Sequence, residues 1–219
     1  MIQAAIFDLD GTLINSLPDI AASMNRALAR CGLPGYSVED YRMKVGNGVK
    51  KIAERTVGPE HMDQFNEVLA LYMADYAQHC CIDSYVYPGV RDMLDGLLRR
   101  GVQVSVFSNK DQGDVESVMA HYFPGFPFAA IRGRVENTPL KPAPDGALMI
   151  ADQLGLPHDA FLYVGDSKMD MLCGNAAQMH VVGVSWGFRS REELQENNAH
   201  FIIDDPKELL SICDRLNGR

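Results

Sequence analysis

Ile2-Gln3-Ala4-Ala5-Ile6-Phe7-Asp8-Leu9-Asp10-Gly11-Thr12-Leu13 runs from an apolar stretch straight into two carboxylates and a glycine. Residues 2–7 read as a short buried strand, and the Asp-Gly pair that follows marks a sharp turn. Side chains alternate along an extended segment, so Asp8 and Asp10 share one side of the strand's end. The first strand therefore delivers acids to a loop.

Outward from this strand the chain changes character twice. Helical patterns over 18–31, 38–57 and 60–80 follow one another without a strand between them, which reads as a helical insertion over residues 15–83. From residue 88 helix and strand alternate: helix 90–100, strand 102–107, helix 114–121, strand 128–131, helix 143–154, strand 161–164. The rhythm continues with helix 169–178, strand 180–184, helix 191–196, strand 200–203 and helix 206–216. Such alternation predicts an α/β fold, a parallel sheet covered on both faces, built from residues 1–14 and 84–219. No internal repeat interrupts it.

Open α/β sheets place their ligands at the carboxyl ends of the strands, and four segments with reactive side chains fall there. In the first, a carboxylate such as Asp8 is competent to attack phosphorus, dividing one hard displacement into two easier ones. Asp10 can protonate the leaving alkoxide and then activate water. Gly11 allows backbone N–H groups to approach a phosphate, and Thr12 can add a hydroxyl or cap the turn. The second segment is Ser108-Asn109-Lys110, whose hydroxyl and amide suit phosphoryl oxygens. The third is Lys141, a cation among Pro139, Pro142 and Pro144 that can neutralise a phosphoryl group. In the fourth, Gly165-Asp166-Ser167-Lys168-Met169-Asp170, Asp166 suits a hard cation such as Mg²⁺. Asp170 either ligates that cation through water or orients Lys141.

Composition narrows the partners. A net charge of −9 over 219 residues repels polyanions, which argues against nucleic acid or an anionic membrane. No apolar run reaches membrane-spanning length, and residues 1–7 do not form a signal peptide. Five scattered cysteines make no disulfide framework, so a cytoplasmic location is expected. A small phosphorylated metabolite remains compatible, because a bound cation and local lysines can invert the field within one cleft. A monomer or homodimer is expected.

Taken together, the four segments resemble the haloacid dehalogenase superfamily. Its Asp-x-Asp-Gly-Thr motif matches Asp8 to Thr12, its Ser/Thr motif Ser108, its lysine Lys141, and its Gly-Asp-x-x-x-Asp Gly165 to Asp170. The resemblance implies a Rossmann-like core with a helical cap inserted after the first strand. It also implies Mg²⁺ bound by Asp8, the backbone carbonyl of Asp10, and Asp166, with Asp170 nearby. Within the superfamily an acid at the Asp10 position goes with phosphoryl transfer. The segment Arg42-Met43-Lys44-Val45-Gly46-Asn47-Gly48-Val49-Lys50 resembles the substrate-specificity loop of phosphoglycolate phosphatases, so Arg42, Lys44, Asn47 and Lys50 are candidate contacts to a substrate carboxylate. Ala143-Pro144-Asp145 also resembles β-phosphoglucomutases, and a phosphomutase stays open as the alternative. Pyrophosphatases and nucleotidases of the same fold are further alternatives. A phospho-accepting receiver domain would be shorter and lack the insertion.

Overall fold

The computed structural model describes residues 1–136 and 138–218. Its main sheet has six strands: β1 (Ala4–Phe7), β4 (Gln103–Asp111), β5 (Ala130–Arg134), β6 (Phe161–Gly165), β7 (His180–Val184) and β8 (Phe201–Ile203). They lie in the order β5-β4-β1-β6-β7-β8, and every pair is parallel. Helices α5 (Val90–Arg99), α6 (Gln112–Tyr122), α7 (Asp145–Leu154), α8 (Lys168–Ala176), α9 (Arg191–Glu196) and α10 (Glu208–Leu216) complete this α/β, Rossmann-like core. All four residues of β1 are buried, as a central strand covered on both faces requires.

Register is what assembles the site. Phe7 pairs with Val106 on one side and with Val164 on the other. Strands aligned at that level bring Asp8, Ser108 and Asp166 to the same edge of the sheet, although about a hundred residues separate the first from the second.

Between β1 and α5 the chain leaves and returns through a two-stranded antiparallel ribbon, β2 (Ile14–Asn15) and β3 (Tyr85–Val86), with Ile14 opposite Val86. The sequence pattern does not reveal strands of two residues. The ribbon carries α1 (Leu17–Arg30), α2 (Val38–Arg42), α3 (Val49–Val57) and α4 (Phe65–His79). The helix expected over 38–57 is two helices. Gly46 and Gly48 separate them at φ +112° and +80°, a region open to glycine and strained for other residues. Likewise the helix expected over 60–80 begins with a 3-10 stretch, Pro59–Gln64, before α4 proper.

Helix α4 turns Val68, Tyr72 and Tyr76 inward at four-residue spacing, toward a face of α1 that buries Ile20, Met24 and Leu28. Burying each such side chain stabilises by roughly 1.5–3 kcal/mol. At the ribbon, the buried carboxylate of Asp19 accepts from the backbone N–H groups of Ile82, Asp83 and Ser84 at 2.9–3.0 Å and from the Ser84 hydroxyl at 2.6 Å. One side chain thereby fastens the start of the helical segment to its end.

Candidate active site

Asp8 continues directly from β1 and is 8% exposed. Its Oδ1 accepts from the Leu9 N–H at 2.7 Å and lies 2.8 Å from Lys141 Nζ. Both contacts fall on one oxygen, which leaves Oδ2 facing the cavity chemistry without a described partner. Burial pushes the Asp8 carboxyl up to about 7, against the pull of Lys141 and with help from the charges of Asp170 and Asp10.

Lys141 Nζ also donates to Asp170 Oδ1 at 2.7 Å and to the Phe107 carbonyl at 3.2 Å. Burial alone would lower this ammonium's pKa, but Asp170 and Asp8 outweigh it and hold it above the ordinary lysine range. The backbone around Lys141 is held as firmly. Asn109 Oδ1 accepts from the Lys141 N–H at 2.8 Å, and Asn109 Nδ2 donates to the Lys141 carbonyl at 3.2 Å. The Lys141–Pro142 peptide is cis.

Asp170 sits at the third position of α8, where its Oδ2 accepts from the Ser167 N–H and hydroxyl in a capping box. With Oδ1 on Lys141, it orients the lysine, one of the two roles its position suggests. Asp166, 2% exposed, accepts only one described hydrogen bond, from the Phe188 N–H at 2.7 Å. Burial and the neighbouring charges of Asp170 and Asp8 raise its pKa well above the carboxylate range. Carboxylate oxygens of Asp8, Asp166 and Asp170 lie within 4.8 Å of one another. Three carboxyl groups beside one ammonium offer hard oxygen donors in a buried space, and when ionised they carry a surplus of about two negative charges. That arrangement fits a divalent cation.

Two glycines make the cluster this tight. A Cβ on Gly11, at φ +87°, would sit 2.2 Å from Asp166 Oδ2. One on Gly187 would meet Asp166 Cβ at 2.3 Å and the Gly11 carbonyl at 2.5 Å.

Asp10 engages Lys110, a residue of the Ser108 segment to which the sequence pattern assigns no role. Lys110 Nζ lies 2.7 and 2.9 Å from the two Asp10 oxygens and 5.0 Å from the centre of the Tyr76 ring. Lys110 was legible only as the end of the Ser108 segment. It reaches Asp10 because β4 extends to Asp111 with an irregular register after Phe107, so residues 108–110 form the distorted end of the strand and not a loop beyond it. Gly133 accommodates that bend, since a Cβ there would meet the Lys110 carbonyl at 2.7 Å.

Over these groups the helical segment closes a cavity of about 70 Å³. Asp8, Asp10, Ser108, Lys110, Lys141 and Asp166 line it from the core, while Ile20, Val49, Ile52, Tyr72 and Tyr76 line it from the helices. Four hydrogen bonds latch it. Asn109 Nδ2 donates to the Gly46 carbonyl at 3.3 Å, Arg189 donates to the carbonyls of Arg42 and Val45, and Arg42 donates to the Gly187 carbonyl at 2.8 Å.

The expected substrate contacts divide accordingly. Gly46 and Gly48 line the cavity, but Arg42, Lys44, Asn47 and Lys50 do not. Arg42 is used in the latch and beside Glu39. Lys44 Nζ lies 4.0 Å over the Tyr36 ring, Asn47 accepts from Arg55 at 2.8 Å, and Lys50 is exposed. The turn at Gly46 and Gly48 points glycine backbone inward and sends these side chains outward. Asn109 lines the cavity while its amide holds the Lys141 backbone, and the Thr12 hydroxyl is buried without a described partner while its carbonyl accepts from Trp186.

With this geometry in view, comparison with known proteins is informative. Residues 5–184 match the haloacid dehalogenase-like hydrolase family. A phosphoglycolate phosphatase of Pseudomonas putida is 34% identical over 96% of this chain and 79% of its own length. One from Haemophilus influenzae is 33% identical over 94% of this chain and 96% of its own. A solved structure from Lactobacillus delbrueckii subsp. bulgaricus, described as a candidate phosphoglycolate phosphatase, superposes with a TM-score of 0.91 at 31% identity, covering 96% of this chain and 97% of the other. A Bacteroides vulgatus structure described as a candidate β-phosphoglucomutase shares the fold, with a TM-score of 0.78 at 20% identity.

Proposed function

Because the chain belongs to the haloacid dehalogenase-like hydrolase family and is a phosphatase, we propose that it hydrolyses 2-phosphoglycolate through a phosphorylated Asp8. The observation that carries the mechanism is the one-sided hold on Asp8: Lys141 and the Leu9 N–H occupy Oδ1, leaving Oδ2 free to attack. Phosphorus gains a bond to Oδ2 as its ester bond breaks, and the Asp10 carboxyl gives its proton to the departing alkoxide. Asp10 then takes a proton from the water that attacks phosphorus, releasing inorganic phosphate and restoring Asp8. Lys141 and the Ser108 hydroxyl stabilise the phosphoryl oxygens in place, and the latched helices exclude bulk water.

Asp8, Asp166 and the Asp10 carbonyl would hold Mg²⁺, with Asp170 acting through Lys141 and the shared charge of the cluster. When bound, the ion neutralises phosphoryl charge and polarises the bond to be broken. In this reading the helical block over residues 15–83 is a cap, the working partner is a small phosphorylated metabolite, and the enzyme acts in the cytoplasm. No described helix is long and apolar enough to cross a membrane.

The test is phosphate release from 2-phosphoglycolate, pyrophosphate, nucleoside monophosphates, sugar phosphates and p-nitrophenyl phosphate, each with Mg²⁺ and with EDTA. Glucose 1-phosphate isomerisation is followed separately. Mg²⁺-dependent preference for 2-phosphoglycolate supports the assignment. Isomerisation with little hydrolysis transfers it to a phosphomutase.

A further inference from the structure

We propose that Lys110, a residue of the core and not of the cap loop, is the specificity-determining residue that receives the second anionic group of the substrate. The inference rests on the phosphatase reading above and names the part of the site that selects the ester's far end.

Among the described residues lining the cavity, the cations are Lys110, Lys141 and Arg189. Two of them are already fixed. Lys141 lies between Asp8, Asp170 and the Phe107 carbonyl. Arg189 spends its guanidinium on the carbonyls of Arg42 and Val45, with Glu193 3.8 Å from its Nε. Lys110 is different, because its one close partner is Asp10, the acid that must turn toward the ester oxygen during the reaction.

A buried ammonium stripped of its partner is strongly disfavoured. Asp10 can therefore leave Lys110 readily only when another anion takes its place. A carboxylate on the substrate is such an anion, and binding it exchanges partners: the carboxylate pairs with Lys110, and Asp10 is freed to take up a proton from solvent and carry it to the bridging oxygen. A neutral ester offers no exchange and leaves Asp10 held. Selection would thus act on turnover as well as on binding.

The surroundings of Lys110 fit a short oxygen-rich group. Tyr76, whose ring centre lies 5.0 Å from Nζ, carries a buried hydroxyl with no described partner. The rings of Tyr72 and Tyr76 stack at 5.4 Å and wall the cavity from the cap side. A hydroxyl left unpaired in this wall is hydrogen-bonding capacity that a ligand oxygen can use. The wall is otherwise apolar and close, which suits phosphate esters of short hydroxy acids and excludes bulky sugars. Asp114, a second carboxylate whose charge acts on Lys110, lines the same cavity but makes no described contact with Nζ.

The experiment compares kcat and KM for 2-phosphoglycolate and 2-hydroxyethyl phosphate, which differ at the carboxylate, in the wild type, Lys110→Met and Lys110→Arg. The wild type is expected to prefer the carboxylate ester. Lys110→Met should reduce that preference on the order of 10- to 100-fold, the range for losing a charge-assisted hydrogen bond, with a fall in kcat as well as a rise in KM. Lys110→Arg should restore part of the preference. Equal losses on both esters would overturn the proposal.

Inhibition of the wild type by glycolate and by glycolamide provides a reading that needs no variant to fold. Stronger inhibition by glycolate supports the assignment, and equal inhibition counts against it. If the wild type does not hydrolyse 2-phosphoglycolate, the substrate reading falls, and Lys110 is judged on the ranking of 2-phospholactate and 3-phosphoglycerate against neutral esters. A ranking that Lys110→Met leaves unchanged would then remove Lys110 from substrate selection.

Discussion

The molecule buries carboxylates in two places and treats them in opposite ways. At the two-stranded ribbon, Asp19 is 2% exposed and receives four hydrogen bonds, three from consecutive backbone N–H groups and one from a hydroxyl. At the strand ends, Asp166 is equally buried, receives one, and sits within reach of two more acids. A satisfied buried carboxylate is a fastener, because its donors replace water. An unsatisfied one in company is destabilising until something with positive charge arrives, which is the condition under which a site binds and reacts. Burial alone does not separate structure from function here; the donor count does.

The sharpest way to break this contrast is to neutralise one acid of each kind. Asp8→Asn retains shape and burial but removes the nucleophile, so turnover should fall by about 10⁴-fold or more while urea denaturation shows no loss of stability. Steady-state phosphate release together with the urea midpoint checks both halves. Retained turnover would end the covalent role of Asp8.

Asp19→Ala should do the reverse. Three backbone N–H groups and the Ser84 hydroxyl lose their acceptor; those of exposed Ile82 and Asp83 can turn to water, while the buried Ser84 donors cannot, so the cost is about 1–3 kcal/mol. The urea midpoint should drop accordingly, with residual activity per folded molecule still measurable, since Asp19 does not line the cavity. A variant as stable as the wild type would show that the ribbon does not depend on this carboxylate.

That second carboxylate also marks where the sequence was readable. The alternating apolar strands from β4 to β8 and the acids at their ends follow from periodicity and position, because each lies within a few consecutive residues. Asp8, Ser108, Lys141 and Asp166 are brought to one edge of the sheet as that pattern suggests. Asp19 carries no local signal, since its donors lie more than sixty residues away. Lys110 was obscured for a related reason: its reach to Asp10 depends on a strand irregularity that Gly133 permits from a neighbouring strand. The basic residues near Gly46 lie off the cavity in this structure. Their composition suggested an anion site, but the direction of their side chains is set by positive-φ glycines.

A subtler test varies pH without mutation. Folding raises the Asp8 carboxyl from an ordinary 3.8 to about 7, and Asp166 is raised as well. The folded state thus retains a proton on Asp8 that the unfolded state releases above about 4. In EDTA, stability should be highest near pH 4 as far as these groups are concerned and should decline as the pH rises to about 7. The decline is expected to be on the order of a few kcal/mol. Millimolar Mg²⁺ should flatten it, because a cation that binds only the folded state favours the ionised carboxylates. Thermal or urea unfolding at a series of pH values, with and without the ion, measures this. A profile unchanged by Mg²⁺ would place the cation elsewhere. Asp19→Ala should keep the Mg²⁺ effect, whereas Asp166→Asn should lose most of it.

The smallest expected effect concerns Lys50, a cation of the helical segment with no described contact. Lys50 is exposed on the first turn of α3 and does not line the cavity. A solvated lysine screened by salt contributes little to a ligand it does not touch. Lys50→Ala should therefore change KM for a carboxylate-bearing phosphate ester by less than about 2-fold and leave kcat alone. A KM raised 10-fold or more would mean that the cap moves on binding so that the Gly46 to Gly48 turn carries Lys50 inward. The anion site would then lie on the cap, in the place its composition first suggested, and not at the end of β4.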